Sequence, residues 1–243
     1  MKNFTPTVYS LMNVATGRIF PDSGWMLADP ESPKPSLVRT VYQKKQIDVK
    51  GSDWGFYRFA DWLPVHRLLQ DSATTVTYRS EGLARHLGLG NLYIAFSGYW
   101  PERGALMKTC SFKETEAYSV CGRLPKDCRQ ILTVASAGNT ARAFAKVCSE
   151  NDIPLLLCVP EDNIDALWFE KPIKDCVRLV CAPKGSDYFD AIALSQAACS
   201  SGMFIDEGGA KNVARRDGMG TTVLSATVEI GRIPDAYFQA IGS

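Results

Sequence analysis

Histidine is nearly absent: His66 and His86 are the only two in 243 residues. Cysteine is missing until Cys110, and the eight cysteines from there to Cys199 form no C-x-x-C pair. A structural zinc site needs clustered His and Cys ligands, so no metal is expected. Nor do eight cysteines make a disulfide scaffold in so long a chain. They fall in apolar or mixed stretches such as Leu155-Leu-Leu-Cys-Val159 and read as free thiols of a cytoplasmic protein. No apolar run approaches the ~20 residues of a membrane span. Met1-Lys-Asn-Phe-Thr-Pro lacks the apolar stretch of a secretory signal. Net charge is also lacking: 27 basic residues face 26 acidic ones, for +1. That offers no electrostatic case for nucleic acid or an anionic membrane as partner. What is present is a hydrophobic fraction of 46% and a charged fraction of 22%. These suit a globular domain with a real core and exclude a disordered chain, a collagen or a coiled coil.

Residues 1–60 read as an N-terminal segment of turns and short extended pieces, chopped by Pro21, Pro30, Pro33 and Pro35. Trp54, Phe56, Tyr57, Phe59 and Trp62 form an aromatic cluster where this segment meets the core. Over 61–243 the pattern is regular. Helices are expected from Ser80 to Gly88, Phe112 to Val120, Thr140 to Cys148 and Tyr188 to Cys199. Strands are expected over Asn91–Phe96, Gln130–Ala135, Pro154–Val159, Val177–Cys181 and Ala236–Ile241. Continuous apolar strands alternating with helices of about ten residues predict an α/β fold, with a parallel sheet buried on both faces by helices.

Two segments carry chemistry. Lys113 stands at a helix start in Ser111-Phe-Lys113. A positive helix end and partial burial both favour a neutral, nucleophilic amine, although most lysines at helix starts are solvated surface groups. Ser136-Ala-Gly-Asn-Thr140 sits at a strand-to-helix junction. Gly138 permits a tight turn, while Ser136, Asn139, Thr140 and the first helical amides can hold a carboxylate or phosphate; plain helix capping is the alternative. A third segment, Lys211-Asn-Val-Ala-Arg215-Arg216, is either a solvated basic turn or a fork for an anionic substrate. Arg103 and Lys108 are further candidates of that kind, and the two histidines read as packing or surface residues.

Taken together, S-F-K followed by a strand and then S-x-G-N-T opening a helix resembles the fold-type-II pyridoxal-phosphate enzymes. The stretches Thr77–Ser80, Leu89–Ala105, Lys108–Glu114, Glu207–Thr221 and Pro234–Ser243 are similar to the cysteate synthases, a threonine-synthase-like group acting in coenzyme M biosynthesis. The resemblance implies a tryptophan-synthase-β-like architecture with an incomplete second half. It implies pyridoxal 5'-phosphate as cofactor, held by Lys113 as an aldimine, with Asn139 on the ring hydroxyl. It also implies that Gly242 and Ser243 begin the phosphate cradle. Ser136, Gly138 and Thr140 would bind the substrate carboxylate, and Arg215 and Arg216 an anionic substrate. The implied reaction is β-replacement of O-phospho-L-serine by sulfite, through an aminoacrylate, giving L-cysteate and phosphate. Threonine synthase or another phosphoserine-using enzyme is the alternative. The family implies a homo-oligomer. The end of the sequence at a glycine turn raises the further expectation of an inactive fragment, or of one half of a split protein. Tyr9-Ser-Leu-Met-Asn-Val-Ala-Thr-Gly17 has no cysteine where the family often carries a cysteine ribbon, so residues 1–60 are expected to be a metal-free remnant of it.

Overall fold

A computed structural model describes residues 3–125 and 127–240. The N-terminal segment, expected to be broken into pieces, closes into a small antiparallel sheet of β1 (Tyr9–Asn13), β2 (Ile19–Phe20) and β3 (Val38–Tyr42), in the order β2-β1-β3. Two short helical turns over Ser52–Trp62 follow, kinked at Gly55, whose φ of +53° and contact with Ser72 suit glycine alone. They bury Phe56, Tyr57 and Phe59, so the aromatic cluster joins the core.

Next come β4 (Val76–Arg79), α1 (Glu81–Leu87), β5 (Tyr93–Phe96), β6 (Tyr99–Trp100) and β7 (Ala105–Leu106), forming two antiparallel pairs. Gly88 ends α1 in the left-handed conformation, as its position in the sequence predicts. Then α2 (Lys113–Arg123) leads into β8 (Ile131–Ala135), α3 (Asn139–Glu150), β9 (Leu155–Pro160), β10 (Val177–Ala182), α4 (Tyr188–Cys199), β11 (Phe204–Asp206) and α5 (Val213–Ile230). No described helix is long and apolar enough to cross a membrane.

The main sheet is parallel, in the order β10-β9-β8-β11. Its register pairs Leu132 with Leu155, Leu157 with Leu179, and Ile205 with Leu132. The chain runs β8 to β9 to β10 in one direction and then returns to set β11 beside β8. Right-handed crossovers that reverse direction place their helices on opposite faces. In such sheets ligands bind beyond the carboxyl ends of the strands where the order reverses, here β8 and β11. The Ser136–Thr140 and Glu207–Lys211 loops occupy those two strand ends. The core beneath holds Leu132, Val134, Phe144, Leu155, Leu157 and Tyr118.

Three expectations need correction. Burial on both faces holds for β8 and β9 but not for the edge strand β10, whose Leu179 and Val180 are exposed. The strand expected over Ala236–Ile241 is not formed in 236–240, and Ile241 lies outside the described residues. That stretch and Tyr93, Ile94 and Ala95 of β5 line one cavity of about 800 Å³. The basic segment at 211–216 is not a turn: it runs into the long helix α5.

Candidate active site

Every residue of α2 is buried, including Lys113, Glu114, Glu116 and Arg123. Buried ionisable groups must be paired, and these are. The loop before the helix turns through Cys110, at φ +52°, a conformation that costs a non-glycine residue of the order of 1 kcal/mol. Ser111 Oγ accepts the Lys113 amide at 3.3 Å. Glu114 Oε2 accepts the amide and the hydroxyl of Thr109 at 3.1 and 2.9 Å, and Lys146 pairs with Glu114 at 3.3 Å. The lysine is thus delivered by a loop stitched to its own helix.

Lys113 Nζ lies 3.5 Å from Glu116 Oε2, one turn along, and 4.0 Å from the Met219 sulfur of α5. Glu116 Oε1 lies 2.8 Å from Arg215 Nη2. Arg215 Nη1 donates to Glu207 Oε2 at 2.7 Å, and Nη2 to Thr140 Oγ1 at 3.4 Å. Two cations and two carboxylates therefore form one buried line from Lys113 to the first turn of α3. Burial pushes the Glu116 carboxyl up to about 7, reinforced by the like charge of Glu207 and opposed by Arg215 and Lys113. Glu207 is raised in the same way by burial.

At the β8–α3 junction, Ser136 Oγ accepts the amides of Gly138 at 3.2 Å and Ala141 at 3.0 Å. The capping alternative therefore describes Ser136. The amides of Asn139 and Thr140, in the first turn, have no carbonyl within the helix to receive them. Asn139 Oδ1 accepts Arg142 Nη1 at 3.0 Å, leaving its Nδ2 as a donor. Nothing stands within 4 Å of where a Cβ on Gly138 would be, so the turn leaves an open cradle. An amine with only loose partners, a free amide end and an open glycine turn fit a pyridoxal group and an amino-acid carboxylate.

Of the residues expected from sequence, Lys113, Thr140 and Arg215 are joined by the network, and Ser136, Gly138 and Asn139 form the adjacent turn. Arg216 is not brought in: it donates to the Val38 carbonyl on β3. Successive helix positions point about 100° apart, so Arg215 and Arg216 cannot serve one fork. Gly242 and Ser243 lie outside the described residues. Arg103 stacks on Tyr78 and Trp100, and Lys108 pairs with Glu170 at 2.8 Å. Sequence reasoning missed Glu116, Glu207 and Arg142. A glutamate three residues after a lysine normally reads as a solvated helix pair, and only burial changes its meaning.

The chain matches the family described as pyridoxal-phosphate dependent enzyme over residues 73–243. It is 46% identical over 235 residues to a cysteate synthase of Methanoculleus marisnigri, covering 97% of this chain and 53% of that one. A cysteate synthase of Methanothrix thermoacetophila is 53% identical over 191 residues, covering 78% and 45%. The chain spans about half the length of the curated relatives it matches. Diaminopropionate ammonia lyase from Escherichia coli in complex with D-serine shares the fold at TM-score 0.51 and 14% identity, over 78% of this chain and 53% of that one. The parallel sheet flanked by helices, the lysine-bearing helix and the family match agree: this chain belongs to the pyridoxal-phosphate-dependent enzymes.

Proposed function

We propose that this chain carries the lysine and carboxylate-binding side of a cysteate synthase site, converting O-phospho-L-serine and sulfite to L-cysteate and phosphate, a step toward coenzyme M. The observation that carries this reading is the buried line from Lys113 through Glu116 and Arg215 to Thr140, at the carboxyl end of the sheet. The likeness to the cysteate synthases supports the substrate pair, since it spans 97% of the chain.

Lys113 and Asn139 are assigned to the cofactor, Lys113 at its aldehyde carbon and Asn139 Nδ2 at its ring hydroxyl. When bound, pyridoxal phosphate supplies an electron sink for the carbanion at the substrate Cα. Lys113 Nζ takes the Cα proton of phosphoserine. Gly138, Thr140 and the free amides of α3 hold the carboxylate, with Ser136 fixing the turn. The Cβ–O bond breaks and phosphate leaves with its electron pair. The sulfur lone pair of sulfite forms the Cβ–S bond, and Lys113 returns the proton to Cα. Glu116 keeps the amine from swinging out of this line, and Glu207 does the same for Arg215. The cofactor phosphate is assigned to Gly242 and Ser243. Eight free thiols suit work in a cytoplasm.

The test is an absorbance titration of the full chain with pyridoxal phosphate, beside Lys113→Ala. A visible band of lysine-bound cofactor, lost in the variant, is expected. A band that survives the substitution overturns the assignment of Lys113. Phosphate release is then followed with phosphoserine and sulfite, and separately with phosphohomoserine. Release from phosphohomoserine alone overturns the substrate pair in favour of threonine synthesis.

A further inference from the structure

Arg142, in the first turns of α3, is 8% exposed, and among the described residues its guanidinium has only neutral partners. Nη1 donates to Asn139 Oδ1 at 3.0 Å and Nη2 to the Thr109 carbonyl. The Trp168 ring covers one face, with the guanidinium carbon 3.8 Å from its centroid. Among the described residues no carboxylate is paired with it. Three of its five N–H bonds are left over, and Nε is buried without a partner. Nearby cations differ in this respect. Lys146 pairs with Glu114 and Glu150, and Lys108 with Glu170.

A cleft of about 40 Å³ opens beside this guanidinium, between Lys108–Thr109, α3 and the 168–173 segment. One water needs ~10–15 Å³ by this measure, so the cleft holds about three oxygen-sized groups. Lys108, Arg142, Lys146 and Lys171 line it against the two carboxylates Glu150 and Glu170, both facing lysines. A buried guanidinium without a counter-charge is costly, and its free N–H edge matches an oxyanion.

We propose that this cleft is a binding site for a small oxyanion, with Arg142 as the buried anchor and Lys171 at the mouth. Its identification as the seat of sulfite rests on the reaction proposed above; the binding itself does not. Through Arg142 the site touches both Asn139 and the loop that delivers Lys113, so an anion there sits beside the assigned cofactor ligands.

The experiment is isothermal titration of the full chain with sodium sulfite, sulfate and phosphate at constant ionic strength, with chloride as control. Saturable one-to-one binding of an oxyanion is expected. Arg142→Gln should weaken it at least ~tenfold, the loss of one charged hydrogen-bonded contact. Lys171→Gln, an exposed change that leaves the fold intact, should weaken it ~two- to threefold and flatten its salt dependence. Circular dichroism checks folding of both variants. Sulfite binding tighter than phosphate supports the nucleophile's seat; phosphate binding tighter supports an oxyanion site for the leaving group. No saturable binding of any oxyanion overturns the proposal, as does wild-type affinity in both variants. Oxyanion binding without cysteate formation leaves this site standing and refutes the reaction. Cysteate formation with an unchanged KM for sulfite in both variants leaves the reaction standing and overturns this cleft as the seat of sulfite.

Discussion

Replacing Glu116 by Gln should remove a large part of the pH dependence of stability. The Glu116 carboxyl is raised from 4.5 to about 7, first by burial and then by the charge of Glu207, against the pull of Arg215 and Lys113. Between those two values the folded chain keeps a proton that the unfolded chain has lost. Folding is therefore most favoured at the acid end and loses stability as pH rises through the window. At 1.36 kcal/mol for each tenfold change in proton affinity, the loss from this one group is about 3 kcal/mol. Glutamine occupies the same space, still offers Arg215 an oxygen and does not titrate. Arg215 also keeps Glu207 at 2.7 Å, so the variant is not left with an unpaired arginine. The stability gap between wild type and Glu116→Gln should shift by about 3 kcal/mol in the variant's favour between pH ~4 and pH ~8. Urea unfolding followed by circular dichroism at several pH values measures it, with midpoints compared at a common slope. A gap that stays constant within ~0.5 kcal/mol, or moves the other way, refutes the claim that burial raises the Glu116 carboxyl.

Two glycines make opposite predictions. A Cβ on Gly218 would stand 2.6 Å from the Thr115 carbonyl and 2.7 Å from Ser119 Cβ, so Gly218→Ala must push α5 off α2. The expected cost is about 1–3 kcal/mol in urea unfolding, despite alanine's better helix propensity. Gly138 has an extended φ of −179° and open space at its Cβ position. Gly138→Ala should leave stability within ~0.5 kcal/mol while weakening the absorbance titration with pyridoxal phosphate, because the methyl group fills the cradle. Arg123, fully buried, holds Asp22 at 2.9 Å, Asn212 at 2.8 Å and the Met26 carbonyl at 2.9 Å. Arg123→Met leaves the buried Asp22 carboxylate without its counter-charge, held only by the Tyr9 hydroxyl at 2.6 Å, and should cost about 3 kcal/mol at neutral pH, read by the same unfolding assay.

The parts of the fold that could be read from sequence are those whose local signals agree. Strands β8 and β9 are apolar runs bounded by breakers, and α1 ends at a glycine that adopts a positive φ. The part that escaped is α5, the helix carrying Arg215 and Met219. Gly218, Gly220, Thr221 and Thr222 sit in its middle, and all of them lower helix propensity. Gly218 belongs there because α2 comes too close for a side chain, which is a tertiary fact with no local signature. The site divides in the same way. Lys113 and the Ser136–Thr140 turn are legible because backbone geometry demands particular residues at fixed spacing. Glu116, Glu207 and Arg142 are legible only once burial is known, since a charged side chain is ordinarily solvated. Burial also separates Arg215 from Arg216: adjacent in sequence, one is locked between two carboxylates and the other faces the N-terminal sheet. The motif residues therefore mark where a ligand can be held. Of the charges around them, Glu116 shares the helix of Lys113, while Arg215 and Glu207 come from α5 and the loop before it, brought beside α2 and α3 where β11 sets down next to β8.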